Sequence, residues 1–301
     1  MAHPRTVILS IGVGLLTVYA GPAGQAPVEM RKLYVNVEKD GAPIGGLGAE
    51  NFHLYVNGQP HSFELEKPGA ASIALALEYS TTSWRQFQEL NAPIRAFLER
   101  APKDDSYALA VYSRPLMVAF EFTRQANVLP EVYAALGSPV WSEINTYDAV
   151  YGMLERLGQI PGRRILVLIG SGADTLSGHS LEDVQRKIET ENVTVFVIGT
   201  GPLFREAYAG ALGPRAAPRF AGAQSFLQVL ATESGGGAWF PSQAAEVPAI
   251  LDRILGRIAD EYCLVYQSSQ PRAGTFESVK VTMAGPSNQE SYKVLVRQGW
   301  R

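Results

Sequence analysis

The apolar positions of the chain change period twice. Up to about residue 67 they alternate. In "KLYVNVEKDGAPIGGLGAENFHLYVNGQPHSFELEK" the runs at Leu33–Val37, His53–Val56 and Ser62–Leu65 read as half-buried strands, with Asp40-Gly41 and Asn57-Gly58 as tight turns between them. The close glycines of "GGLG" (45–48) do not sit between a strand and a helix, so they read as a turn rather than a phosphate loop.

From about Ala70 the pattern becomes short apolar runs separated by helical stripes. "SIALALEYS", "SYALAVYS", "LMVAFEF", "RILVLIGSG" and "VTVFVIGTG" are largely continuous, as expected of strands covered on both faces. Between them, Phe87, Leu90, Ile94, Phe97 and Leu98 form one stripe, and Val150, Met153, Leu154 and Leu157 another. Val184 and Ile188 mark a shorter helix opened by Ser180, with Asp183 three residues on. Val247, Ile250, Leu251, Ile254 and Ile258 form the last stripe. This alternation predicts a doubly wound, mostly parallel α/β sheet with helices on both faces. The tail returns to β pattern in "EYCLVYQS", "ESVKVTMAG" and "SYKVLVRQGW", with turns at Pro271–Gly274 and Gly285–Asn288. The organisation expected is a leader over 1–26, a β segment over 27–68, an α/β domain over 69–261 and C-terminal strands over 262–301. The two β ends are expected to pair into one small module.

The composition adds limits. At 301 residues and 46 % apolar content the chain can bury a full core, and its net charge of −3 shows no basic face for tracking nucleic acid. The four histidines, 3, 53, 61 and 179, are scattered without metal-ligand spacing. Cys263 is the single cysteine, reads as a buried inert thiol and has no disulfide partner. At the N-terminus, His3 and Arg5 precede the apolar run Val7–Ala20 and the small-residue stretch "GPAGQAPVE". That is the pattern of a secretory signal peptide cleaved after Ala26 or after Ala20, with an uncleaved anchor as the alternative. A secreted or periplasmic location follows as an expectation, with no membrane span after cleavage.

The candidate chemistry begins at "IALALEYSTTSW". A buried-looking strand ends in Glu78, then Tyr79, Ser80, Thr81 and Thr82, a carboxylate followed by hydroxyls. Open α/β sheets bind ligands beyond the carboxyl ends of their strands, and oxygen donors grouped there suit Mg²⁺. Enzyme readings are weaker. "IGSGAD" invites a nucleophile elbow at Ser171, but Ile169 and Ala173 stand where Gly-x-Ser-x-Gly needs glycine. Gly199 and Gly201 complete no G-x-G-x-x-G, and "ESGGGAWF" is a Gly-containing loop without a phosphate motif. The stretch 201–224 reads as a long strand–helix connection whose Arg205, Arg215 and Arg219 are solvated charges. Tyr79, Trp84, Trp141 and Tyr147 are expected near the same sheet edge, where exposed aromatics would form a partner-binding surface.

These residues carry a resemblance. The middle of the chain resembles a von Willebrand factor type A domain. The whole mature chain resembles the bacterial secreted von Willebrand factor A-related family of the Acidobacteria type. It does so through "VEKDGAPIGGLGAENFHLYVNGQPHSF", "TYDAVYGMLERL", "RRILVLIGSGADTLSGHSLEDV", "LATESGGGAWFP", "YCLVYQS" and the final "GW". The resemblance implies a metal-ion-dependent adhesion site built from three loops. The first, usually Asp-x-Ser-x-Ser, is Glu78-Tyr79-Ser80-Thr81-Thr82 here, and the extra methylene moves the carboxylate by roughly 1.5 Å, a large step for an octahedral Mg²⁺ site. Counted back from Asp148, the Thr of the second loop falls on Ile144, with Thr146 out of register. The Asp of the third loop is Ser171, and Asp174 follows at a position that is not the usual ligand. The expectation is a non-enzymatic module binding a protein or cell-envelope ligand, with no cofactor or a weakly held Mg²⁺ at Glu78, Ser80 and Thr82. A functional Mg²⁺-dependent adhesion site is the alternative reading, and a hydrolase a distant one.

Overall fold

The continuous apolar runs become the central strands of one sheet, and the alternating runs become two further sheets. The computed structural model describes residues 28–208, 210, 216–269, 274–284 and 292–301. The leader (1–26), Arg215 and most of the two tail turns (271–273 and 285–288) lie outside the described residues. The N-terminal elements are β1 (Val28–Lys39), β2 (Ala42–Pro43), β3 (Phe52–Val56), β4 (Gln59–His61) and β5 (Glu64–Glu66). The α/β region follows as β6 (Ala71–Glu78), α1 (Trp84–Glu89), α2 (Asn91–Glu99), β7 (Ser106–Tyr112), β8 (Leu116–Thr123), α3 (Leu129–Ala134), α4 (Thr146–Gly158) and β9 (Arg163–Gly170). It continues with α5 (Leu181–Thr190), β10 (Thr194–Gly199), α6 (Gly201–Ala207), α7 (Ala216–Glu233), β11 (Gly237–Trp239) and α8 (Val247–Ala259). The tail supplies β12 (Tyr262–Ser269), β13 (Glu277–Met283), β14 (Tyr292–Val296) and β15 (Gly299–Trp300).

Among the described residues the central sheet has six strands in the order β11-β10-β9-β6-β7-β8. The strands run parallel except β8, which returns antiparallel along β7. Side chains of β6 alternate between its two faces. Ile73, Leu75 and Leu77 pack with the stripes of α1, α2, α3 and α8, while Ala74 and Ala76 pack with α4, α5 and α7. Both faces are therefore covered, which is why these strands carry no polar alternation. The predicted stripe Phe87–Leu98 is divided between α1 and α2, which meet at Leu90.

The two ends of the chain form an antiparallel β sandwich. β1 lies between β12 and β14, and β3 lies beside β13. Leu33, Val35, Val37, Leu264 and Tyr266 of one sheet face Leu54, Val56, Val279 and Val281 of the other. Asp40 and Gly41 have φ of 52° and 79°, and Asn57 and Gly58 have 49° and 77°. Two successive positive φ values are what a two-residue hairpin turn asks of its Asp-Gly or Asn-Gly pair.

Charged groups fasten the sandwich to the α/β region. Arg257 of α8 donates from Nε (2.8 Å) and Nη2 (2.6 Å) to Glu38 of β1. Arg163 at the start of β9 donates at 2.6 Å to Glu261, which also accepts from Asn36 of β1 at 3.0 Å. One sequence expectation is corrected. Residues 201–224 are not a long loop, because 201–207 form α6 and 216–224 belong to α7. Pro202 falls in the first turn of α6, where a missing N–H costs nothing.

Candidate functional site

Glu78 is the last residue of β6, at the carboxyl edge of the sheet, with β9 on one side and β7 on the other. It pairs with Tyr112 in register, and the next amide, Tyr79 N–H, donates to the Tyr112 carbonyl at 2.6 Å. The side chain turns toward β9. Its Oε2 accepts from the Ser171 amide at 2.7 Å and the Ser171 hydroxyl at 2.6 Å. Gly170 makes this crossing possible. A Cβ there would collide with the Tyr112 hydroxyl and crowd Glu78 Cβ at 3.0 Å and Oε2 at 3.1 Å. Burial pushes the Glu78 carboxyl above its usual range, against the Ser171 bonds and the Ser83 hydroxyl, which favour the charged form.

The other oxygens of the first loop are also engaged within the protein. Ser80 and Ser83 cap each other: the hydroxyls lie 2.8 Å apart, and the Ser83 amide donates to Ser80 Oγ at 3.0 Å. Thr82 Oγ1 donates to the Ser142 carbonyl at 3.1 Å, and Thr81 N–H to the Trp141 carbonyl at 2.8 Å. The segment before α4 thus lies over the first loop.

The second and third loops join as a pair. Asn145 and Asp174 form an isolated antiparallel bridge, and Thr175 N–H donates to the Ile144 carbonyl at 2.7 Å. Ile144, at the expected threonine position, is buried in the apolar core. Thr146 is fully buried and donates its hydroxyl to the Ala173 carbonyl. Asp174 accepts from the Tyr147 amide at 3.0 Å and the Ser177 hydroxyl at 2.6 Å. Asp148 accepts from the amides of Gly178 and His179, and from His179 Nδ1 at 2.7 Å. Partial burial works against the charge of Asp148, but these bonds outweigh it and hold its carboxyl below the usual range. Ser171, the would-be nucleophile, is buried with its hydroxyl donated to Glu78.

The four edge aromatics do not make one exposed patch. Tyr79 is buried, donates its hydroxyl to the Gly137 carbonyl and meets Phe87 edge-on at 5.0 Å. Trp84 is half-buried and stacks on Phe87 at 5.3 Å. Tyr147 lies on the opposite face of the sheet against Phe226, at 4.8 Å. Trp141 is 39 % exposed beside Val140 at 81 %, with the Arg114 guanidinium 5.0 Å above its ring. Sequence reasoning missed Ser83, Gly170, Tyr112 and Ser142. Their roles depend on strand register and loop packing, and only the Gly following the β9 apolar run hinted at close approach.

No family model and no curated protein sequence matches the chain. Solved structures of similar shape do. A single-site mutant of the PilB minor pilin from Streptococcus sanguinis aligns with a TM-score of 0.50 at 10 % identity, over 79 % of this chain and 79 % of that one. The six-stranded, mostly parallel sheet with helices on both faces is the α/β architecture that the sequence's resemblance to a von Willebrand factor A domain leads us to expect. A von Willebrand factor type A structure from Catenulispora acidiphila aligns with a TM-score of 0.46 at 10 % identity, over 93 % of this chain and 76 % of that one. BatB from Bacteroides thetaiotaomicron gives 0.48 at 14 % identity, over 64 % and 100 %. At such identities the likeness concerns the fold alone. Among the described residues of this chain, no helix is long and apolar enough to cross a membrane.

Proposed function

We propose that the chain is a secreted or periplasmic, non-enzymatic binding module whose metal-ion-dependent adhesion site is degenerate, and that it contacts a protein or cell-envelope ligand through the loops at the carboxyl edge of its sheet. One observation carries the reading. The Glu78 carboxylate is directed to the Ser171 amide and hydroxyl, at the very position where the third loop would otherwise supply its own carboxylate. The remaining donors fit Mg²⁺ poorly. Ser80 and Thr82 are bound to Ser83 and Ser142, and Ile144 offers no oxygen from its side chain. With one formal negative charge among the usual ligand positions and few free oxygens, the site lacks the neutralisation a divalent ion needs. Direct hydrogen bonds do the cross-linking instead. Trp141 with Arg114 is the aromatic feature that remains open to a partner at this edge. The secretory part of the reading rests on the leader pattern in the sequence.

Thermal melts of the mature chain in Mg²⁺, Mn²⁺, Ca²⁺ and EDTA test the metal part, because an ion that binds the native state must raise the melting temperature. The expected result is the same midpoint in every buffer. An ion-specific rise that disappears in Glu78→Ala and Ser80→Ala would restore the metal-dependent reading.

A further inference from the structure

Glu78 also has an inward side. Among the described residues, its Oε1 is fully buried without a hydrogen-bond partner within bonding distance. Gln86 of α1, 2 % exposed, finds no partner for either amide atom among the described residues. The two side chains line one small cavity with Ser83 and Thr200, closed by apolar side chains such as Phe87 and Ile94. Its free space is about that of a single water molecule. Orphaned buried polar atoms are costly, about 1–3 kcal/mol each, and these converge on the same space.

We infer that one buried water bridges Glu78 Oε1 and the Gln86 amide. It donates to the carboxylate, accepts from Gln86 Nε2–H and keeps its second proton for a hydroxyl of the lining. Three bonds are the usual complement of an internal water. A bare cation suits the cavity less well. The lining offers one carboxylate oxygen beside neutral hydroxyl and amide groups, little charge for a desolvated ion, and the amide N–H would stay unpaired. The water completes a continuous chain, Gln86–water–Glu78–Ser171, from α1 across β6 to the end of β9. Gln86 is then a positioning residue: it holds the carboxylate inward, away from the loop mouth. This role rests on the reading of Glu78 as a residue that does not hold a metal.

The test is a high-resolution crystal structure of the mature wild type in EDTA, beside that of Gln86→Leu. A single solvent peak within hydrogen-bond distance of Glu78 Oε1 and the Gln86 amide is expected, and its loss in Gln86→Leu. An empty cavity with carboxyl and amide in direct contact would overturn the assignment. So would a peak that persists unchanged in Gln86→Leu. Melts in NaCl, KCl and choline chloride at equal ionic strength add a third check, since a sodium- or potassium-specific rise would put a cation there instead. The wild-type crystal decides the matter even if the variant does not fold. Because the peak is read in EDTA, it can fail while the divalent-ion melts come out as expected, and the reverse.

Discussion

One methylene separates Glu78 from the aspartate expected at its position, and it decides which partner the carboxylate reaches. The longer side chain crosses Gly170 to the amide and hydroxyl of Ser171 and leaves the mouth of the loops. The same burial that fixes it there makes its charge unfavourable. Its folded pKa lies above the unfolded value of 4.5, so between those two values the folded state binds more protons and stability falls as pH rises. Glu78→Gln removes this titration while keeping an acceptor for Ser171. Urea midpoints at about pH 4 and about pH 7 should show the variant gaining on the wild type toward the higher pH. A constant gap between them would mean that the carboxyl titrates alike in both states. Glu78 and Ser171 could each be singled out from the sequence, as a carboxylate after an apolar run and a serine in a glycine-flanked loop. Their bond could not. It depends on the register of β6 against β9 and on the space beside Gly170, neither of which leaves a periodic signal.

Among the elements, α5 shows how local sequence can suffice. Ser180 accepts from the Asp183 amide at 3.2 Å, while Asp183 accepts from the Ser180 amide at 2.8 Å. Hydrogen bonds from the Ser180 hydroxyl and amide hold the Asp183 carboxyl down to about 2. Ser180→Ala should cost about 1 kcal/mol, read as a lower urea midpoint with an unchanged slope, and Ser180→Thr should recover most of it. An acid whose folded pKa is depressed stabilises the fold above its unfolded value of 3.8 and loses that effect as pH falls toward about 2. Strands β6, β7, β9 and β10 were legible for an equally physical reason: burial on both faces demands unbroken apolar runs; the edge strand β8, half-open to solvent, was legible from its apolar run alone. α6 and the first half of α7 were not legible. Glycine, alanine, proline and arginine dominate 201–224, and the buried Phe226, Leu227 and Leu230 of α7 fall in its later half. β11, at three residues, is too short to declare itself.

At the scale of the molecule, the tail fastens the two modules together. Arg297 donates from Nη2 to the Ile188 carbonyl at 2.8 Å and from Nη1 to the Glu191 carbonyl at 3.1 Å, at the carboxyl end of α5. Its Nε donates to the Gly299 carbonyl at 2.9 Å, and its guanidinium lies 3.6 Å from the Trp300 ring. A cation at a helix C-terminus also meets the favourable end of the helix dipole. Arg297→Ala strands several buried carbonyls, and a loss on the order of 3 kcal/mol is expected. Amide exchange should quicken at the end of α5 and in β14–β15 before it does in β6 or β9. Uniform acceleration across the sheet would argue against a local clamp.

The pairing of the two ends has a consequence for the order in which the chain can be assembled. Glu66 and Cys263 are direct neighbours across β5 and β12 although the α/β region lies between them. That region closes its sheet from its own strands, whereas β1 must wait for β12 and β14, more than two hundred residues downstream. Long-range pairings of this kind are slow to form. As the chain emerges from the ribosome, Leu33, Val35 and Val37 have only Leu54 and Val56 of β3 to face until the last strands arrive. The topology thus makes the sandwich the last module able to close, and a chain cut short before Tyr262 would keep an unpaired β1 edge of the kind that invites aggregation.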